Sequence, residues 1–257
     1  MFRSFVFFAS LVLIFSQAAC NSPDSSAQGE SESSGESGSQ AQQAEKPQVD
    51  VQQLLAKLQK GVDVSRFSGQ IDWQQVAQEG FGFAVSKATE GVDLKDSTFD
   101  AHWQGIKEAG LLRGAYHFYV TEDPPEDQAK WFIENVQLEP GDLVPVVDIE
   151  LIGHDTKLEG LPQRLRTFVE LIEAHYGVKP IIYTSPNFWD KHFKEAFHEH
   201  PLWIAEYGVT EPRVPQGWPT WHLWQHQGDV NIPGIEKDAD LTRGNNNAAD
   251  LSSLIIR

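Results

Sequence analysis

From residue 61 onward, short apolar runs alternate with amphipathic stretches. Runs rich in Val, Ile, Phe and Leu predict strands over 61–65, 81–87, 111–119, 143–150, 180–184, 202–206, 221–225 and 236–241. Apolar positions at helical spacing predict helices over 72–79, 98–109, 124–137, 160–176 and 186–197. Strands alternating with helices imply an α/β fold with a mostly parallel sheet, and eight strand candidates suggest closure into a TIM-like barrel. Only five helices are predicted, and the last three strands are joined by loops rich in Pro, Gly and Trp. A regular eightfold repeat is therefore not expected, and an open doubly wound sheet is the alternative. Residues 48–60, with Val51, Leu54, Leu55 and Leu58, form a short helical lead-in to the domain at 61–257.

Upstream of that lead-in the pattern changes. Residues 21–47 are Ser, Gly, Gln, Ala and Glu with almost nothing apolar, too little to fold, so a disordered tether is expected there. Residues 1–19 carry Arg3, an apolar run from Phe5 to Phe15, and then Ser16-Gln17-Ala18-Ala19. That is the layout of a secretory signal, too short to span a bilayer comfortably. Cys20 follows two alanines and is the single cysteine of the chain. The position resembles the lipobox of bacterial lipoproteins, although Gln17 stands where an aliphatic residue is usual. A lipid anchor at Cys20, with residues 20–47 linking it to the domain, is the expectation. The alternative is an ordinary signal cut near Ala18.

Charge and cysteine content narrow the chemistry. The formal net charge is −17, and residues 61–257 hold 31 of the 37 acids against 16 of the 20 Lys and Arg. An acidic domain does not suit a nucleic-acid partner. One cysteine, outside the domain, excludes an intramolecular disulfide, a cysteine nucleophile in the domain and Cys-based zinc sites. Neither a glycine-rich phosphate loop nor a cofactor motif is present. His192, His198 and His200 raise the idea of a metal-dependent hydrolase, but a solvated, charged helix end accounts for them more simply. No metal or cofactor is expected, and the chain reads as a monomer.

The candidate chemistry gathers at the strand ends. Leu143 to Glu150 reads Leu-Val-Pro-Val-Val-Asp-Ile-Glu, a buried strand whose far end carries two acids. Alternation along the strand puts Asp148 and Glu150 on one face with Cα atoms roughly 6.6 Å apart. Burying two ionised carboxylates is costly, so a pair at a strand end is either solvated or functional. Other strands end in Asp63, Tyr116-His117, Tyr183, Trp203 with Glu206-Tyr207, Trp224-Gln225 and Asp240. Singly, each has an ordinary explanation: Asp63 in a turn, Tyr116 in the core, His117 as a satisfied buried histidine. In a barrel of this kind, all would converge on one face, which is where active sites lie.

In that order, Gly61-Val62-Asp63-Val64-Ser65, Gly114-Ala115-Tyr116-His117-Phe118, Val147-Asp148-Ile149-Glu150, Leu202-Trp203-Ile204-Ala205-Glu206-Tyr207 and Trp224-Gln225-His226 resemble glycoside hydrolase family 25, the lysozymes of the Chalaropsis type. The resemblance covers about residues 61–245. It implies an irregular barrel of five α/β units plus three strands. It also implies hydrolysis of peptidoglycan between N-acetylmuramic acid and N-acetylglucosamine. By resemblance Glu150 is the general acid, Asp148 assists the substrate acetamido group, and Asp63 and Asp240 line the same cleft. Tyr116, Tyr183, Trp203, Tyr207, Trp224 and Gln225 are the substrate-binding candidates. The family's last motif is Asp-x-Asn; here it is Asp240-Leu241-Thr242. A catalytically impaired, wall-binding relative is the alternative from another functional class. The Asp63, Asp148 and Glu150 set argues against it.

Overall fold

Eight strands close on one another around a core of large apolar side chains. The computed structural model describes residues 51–257 with the exception of residue 195; the signal, lipidation and tether expectations for residues 1–47 lie outside the described residues. The barrel strands are β1 (Gly61–Val64), β2 (Phe83–Glu90), β4 (Leu112–Phe118), β5 (Val146–Asp148), β6 (Ile181–Thr184), β7 (Leu202–Ala205), β8 (Leu223–Val230) and β9 (Ala239–Gly244). A two-residue strand, β3 (Leu94–Lys95), hairpins onto β2 outside the ring. Neighbouring pairs are parallel from β1 through β8, β9 is inverted, and β9 and β2 both pair with β1 to close the barrel.

Alternation sorts the side chains into two layers. Phe83, Val85, Leu112, Val146, Ile181, Tyr183, Trp203 and Leu223 point into the barrel. Ala115, Val147, Ile149, Ile182, Leu202, Ile204 and Trp224 point outward, against the helices. Small residues make room inside: a Cβ on Gly61 would lie 2.2 Å from Cζ of Phe83, so the ring of β2 occupies the place of a side chain on β1.

Seven α-helices are present among the described residues: α1 (Val51–Lys57), α2 (Trp73–Gln78), α3 (Phe99–Glu108), α4 (Pro125–Asn135), α5 (Leu161–Tyr176), α6 (Pro186–His192) and α7 (Ala248–Ser252). Five correspond to the predicted domain helices and α1 to the lead-in; α7 was not predicted. The helix expected over 186–197 stops at His192. There the chain turns through left-handed backbone at Lys194 and Phe197 to bury Phe197 against Trp189, with ring centroids 5.7 Å apart. Aromatic burial outweighs helix propensity in that turn.

The two ends of the barrel differ. At the end where the parallel strands begin, Leu55 of α1 and Leu58 just after it pack with Phe83, Leu112, Leu223, Leu251 and Leu254. The carbonyl of Leu58 accepts from Gly244 at 2.9 Å. Beside this plug the buried Arg113 donates to both oxygens of Asp142, at 2.7 and 3.0 Å, a bidentate pair that ties β4 to the approach of β5. The opposite end is open and polar.

Candidate active site

The polar groups at the open end come from seven of the barrel strands, with two from the end of β5. Asp63 on β1 and Asp240 on β9 are register partners of an antiparallel pair. Asp148 is the last residue of β5. Glu150 follows two residues later, past the strand that the sequence carried to residue 150. Together with Tyr116, Val146, Tyr183, Trp203 and Gln225 they line one cleft. Thus eight of the ten sequence-derived candidates in the domain meet at one place. The two that do not are Trp224 and Tyr207. Trp224 neighbours the inward Gln225 on β8 and therefore faces out. It is 4% exposed, donates from Nε1 to the Glu206 carbonyl at 2.7 Å, and lies beneath the Arg243 guanidinium. Tyr207, half exposed on the loop after β7, leans over the rim and donates to Oε1 of Gln225.

Gln225 organises one wall. Its Oε1 accepts from Tyr183 Oη at 2.8 Å and from Tyr207 Oη, while its Nε2 donates to Asp63 Oδ2 at 2.9 Å and reaches Asp240 Oδ2 at 3.4 Å. The backbone N–H of Asp229 donates to the other Asp240 oxygen at 3.1 Å. Across the cleft the groups are less satisfied. Asp148 Oδ1 and Trp203 Nε1 are buried without a hydrogen-bond partner. Trp203 is only 2% exposed and packs edge-on to Tyr183 at 4.9 Å, so it offers no free ring face for stacking.

Burial dominates the electrostatics. It holds the carboxyls of Asp63 and Asp148 well above the usual carboxylate range, and the charges of Asp240 on Asp63 and of Glu150 on Asp148 push the same way. Glu150 is raised by burial and then by Asp240; Asp240 is raised by burial. Opposing this is Lys87 on β2, a buried ammonium that is not among the sequence-derived candidates. It donates to Glu90 Oε2 at 2.6 Å, sits 4.7 Å over the Phe118 ring, and lowers the proton affinity of Asp148 and Glu150. A buried lysine beside an acidic cleft was the available signal.

The histidines stand elsewhere. His117 faces outward, with Nδ1 2.8 Å from Thr89 Oγ1, Nε2 3.1 Å from Gln128 Oε1, and its ring stacked on Phe168. Burial lowers its pKa to about 4, so it is neutral and structural. His192 ends α6, His198 is exposed and His200 is buried beside the Pro180 carbonyl. Among the described residues no three His, Cys, Asp or Glu side chains are grouped as metal ligands.

Four carboxyl groups, Asp63, Asp148, Glu150 and Asp240, thus ring one cleft at the open end of the barrel, where the parallel strands end. Residues 62–235 match the model of glycosyl hydrolases family 25. The chain is 34% identical over 200 residues to the protein YegX of Escherichia coli (strain K12), covering 76% of this chain and 72% of that one. It is 33% identical over 207 residues to Lysozyme M1 of Streptomyces globisporus, covering 76% and 70%. The crystal structure of the bacterial lysozyme from Streptomyces coelicolor superposes with a TM-score of 0.71 at 32% identity, covering 76% of this chain and 96% of that one. The chain belongs to glycoside hydrolase family 25.

Proposed function

We propose that this glycoside hydrolase is a lysozyme that cleaves the β-1,4 bond between N-acetylmuramic acid and N-acetylglucosamine in peptidoglycan. The observation that carries this reading is the pair Asp148 and Glu150 at the end of β5, lining one cleft with Asp63 and Asp240. Glycoside cleavage needs a protonated acid at the leaving oxygen and negative charge near an oxocarbenium-like centre. Crowded, partly buried acids supply both, because not all can ionise together. In this reading Glu150 gives its proton to the leaving oxygen as the bond from that oxygen to the anomeric carbon breaks. The carbonyl oxygen of the muramic acid acetamido group closes onto that carbon, and Asp148 holds the acetamido N–H. Water then attacks the anomeric carbon, the ring of the intermediate opens, and Glu150 takes the water's proton. The configuration is retained. Asp63 and Asp240, bridged by Gln225, add negative potential on the facing wall.

The chain enters the domain through α1, at the barrel end opposite the cleft. A lipid on Cys20 followed by the polar stretch 21–47, at most on the order of 90 Å when fully extended, would let the domain reach away from the membrane. Cys20→Ser should release the protein from membranes without loss of activity. A wild type that fractionates as soluble and lacks acyl mass rules the anchor out. The bond cleaved is tested by mass analysis of digested peptidoglycan. Fragments with muramic acid at the reducing end are expected, and a glucosamine reducing end would refute the assignment. Absence of turnover with retained glycan binding would instead favour the wall-binding alternative, for which Thr242 in place of the family's asparagine is the motivating feature.

A further inference from the structure

The register of β8 against β9 runs Gln225 to Thr242, Gln227 to Leu241 and Val230 to Ala239. Between the last two pairs, Gly228 and Asp229 stand opposite the single residue Asp240, which is a β-bulge. Asp229 adopts left-handed backbone there, with φ 55°. For a residue with a side chain that conformation is uncommon and strained, and it persists only where the surroundings hold it. Burial of the ring holds it at Phe197, but Asp229 is exposed, so its own side chain does not hold the turn. What the turn achieves is a contact. The Asp229 N–H, which a regular ladder would spend on a backbone carbonyl, donates instead to Asp240 Oδ1 at 3.1 Å. A Cβ on Gly228 would lie 3.2 Å from that same oxygen and 3.6 Å from Tyr207 Cζ, so the bare position lets the carboxyl and the phenol both close in.

The other Asp240 oxygen is held less firmly. Gln225 Nε2 reaches Oδ2 only at 3.4 Å, because that nitrogen donates to Asp63 at 2.9 Å. The Asp229 bond therefore fixes the rotation of the Asp240 carboxyl and leaves Oδ2 turned towards Gln225. We propose that Asp229 is a positioning residue: through its backbone N–H, the bulge at Gly228 and Asp229 orients Asp240 and favours its ionised form in the cleft. A hydrogen bond to a carboxylate favours the charged state, and this one lowers the proton affinity of Asp240 against burial and the charge of Asp229. The titratable groups facing Asp240 are Asp63 on β1, Glu150 after β5, Tyr207 after β7 and Asp229 on β8. None of these is a cation, so the Asp229 N–H and the Gln225 amide are the groups that favour its charge. That charge in turn raises the proton affinity of Glu150. The bulge thus helps one acid to stay ionised and another to stay protonated, the division that glycoside cleavage requires. This rests on the glycan reading above and adds the backbone group that sets Asp240.

The test exchanges the amide N–H of residue 229 for an ester oxygen, by placing malic acid, the α-hydroxy analogue of aspartate, at that position in the full chain. Side chain and charge are kept, and only the donor is lost. The Asp240 carboxyl is followed by carbon NMR through a pH titration, its resonance identified by its loss from Asp240→Asn. Its midpoint should rise by about one pH unit in the ester variant, the size expected when a carboxylate loses one hydrogen bond. At the wild-type midpoint, kcat on soluble glycan should then fall about fivefold, with KM within about twofold. Wild type supplies a second measurement that needs no variant of residue 229 to fold. Its Asp229 amide proton should move downfield as Asp240 ionises, and that movement should be absent from Asp240→Asn. An unmoved midpoint, a moved midpoint with unchanged kcat, or an amide proton that does not follow Asp240 overturns the assignment. A wild type whose Asp229 amide follows Asp240 but that turns over no peptidoglycan overturns the glycan reading, and the catalytic purpose of the bulge with it.

Discussion

Gln225 Nε2 donates to Asp63 Oδ2 at 2.9 Å, reaching from β8 across β9 to β1. Two phenols fix the orientation of that amide, because Tyr183 and Tyr207 both donate to its oxygen and so turn the nitrogen towards the acids. The contact lowers the proton affinity of Asp63 against the larger effects of burial and Asp240. Gln225→Met removes the donor and keeps the length of the side chain. Asp63 should then hold its proton to higher pH. The acid limb of the pH–activity profile should move in the alkaline direction, and the melting temperature should fall, because the buried Tyr183 hydroxyl loses its acceptor. A profile that falls in height without moving would make Gln225 a packing residue only.

Removing Lys87 should act in the same direction on the other wall. Its charge lowers the proton affinity of Asp148 and Glu150, and its ammonium pairs with Glu90 at 2.6 Å. Lys87→Met keeps the buried stem beside Phe118 but leaves Glu90 without that partner. Both the acid and the alkaline limbs should shift upward in pH. Stability should also fall, because a partly buried carboxylate has lost its counter-charge. Potentiometric or fluorescence-monitored melts beside initial rates separate the two effects.

Much of this site was readable from period-two alternation alone. Asp148 and Glu150 were placed on one face by their spacing, and both line the cleft, although β5 itself ends at Asp148. The same rule, applied to β8, separates Trp224 from Gln225: adjacent residues on a strand cannot both face the barrel interior. Naming both as ligands came from the motif, where they are contiguous. Other features were not legible because they depend on residues far apart in sequence. The Gln225–Asp63 contact joins positions 162 residues apart. The turn at Phe197 is set by Trp189 and the barrel wall, and local propensity at 193–197 continues the helix instead. α7 is only five residues long and is placed by Leu251 packing into the barrel floor, a tertiary cause with little local pattern.

Trp224 supplies a control for the cleft assignments. It is buried on the helix side of β8, and its N–H bond to the Glu206 carbonyl holds the start of the loop that carries Tyr207. Trp224→Phe loses that bond and some packing. A destabilisation of at least about 1 kcal/mol follows. KM for soluble glycan should stay within about twofold of wild type, since no contact with substrate is lost. A large rise in KM with an unchanged melt would place Trp224 in the binding surface.

The last expectation joins stability to mechanism through Asp148 and Glu150. Folding raises the pKa of both, chiefly by burial, so the native state binds protons more tightly than the unfolded chain. The sign follows directly. Below the unfolded carboxylate value, 3.8 for Asp148, both states are protonated and the acid contributes no penalty. As pH rises from there through the raised native value, the unfolded chain ionises first and stability falls. Asp148→Asn abolishes that titration. The melting-temperature gain of Asp148→Asn over wild type should therefore be smallest near pH 3.5 and grow as pH rises towards 7. Glu150→Gln should show the same trend more weakly, because Glu150 is less deeply buried than Asp148. Both variants should lose activity while keeping the fold. For Glu150→Gln the loss should be on the order of 10²–10⁴, the contribution of a positioned general acid. The measurement is turnover of peptidoglycan and a thermal melt for each variant at several pH values. A folded Glu150→Gln protein with near-normal turnover would move the acid role to Asp63 or Asp240. A stability difference for Asp148→Asn that does not change with pH would mean that the native carboxyl is not held in its protonated form by the site.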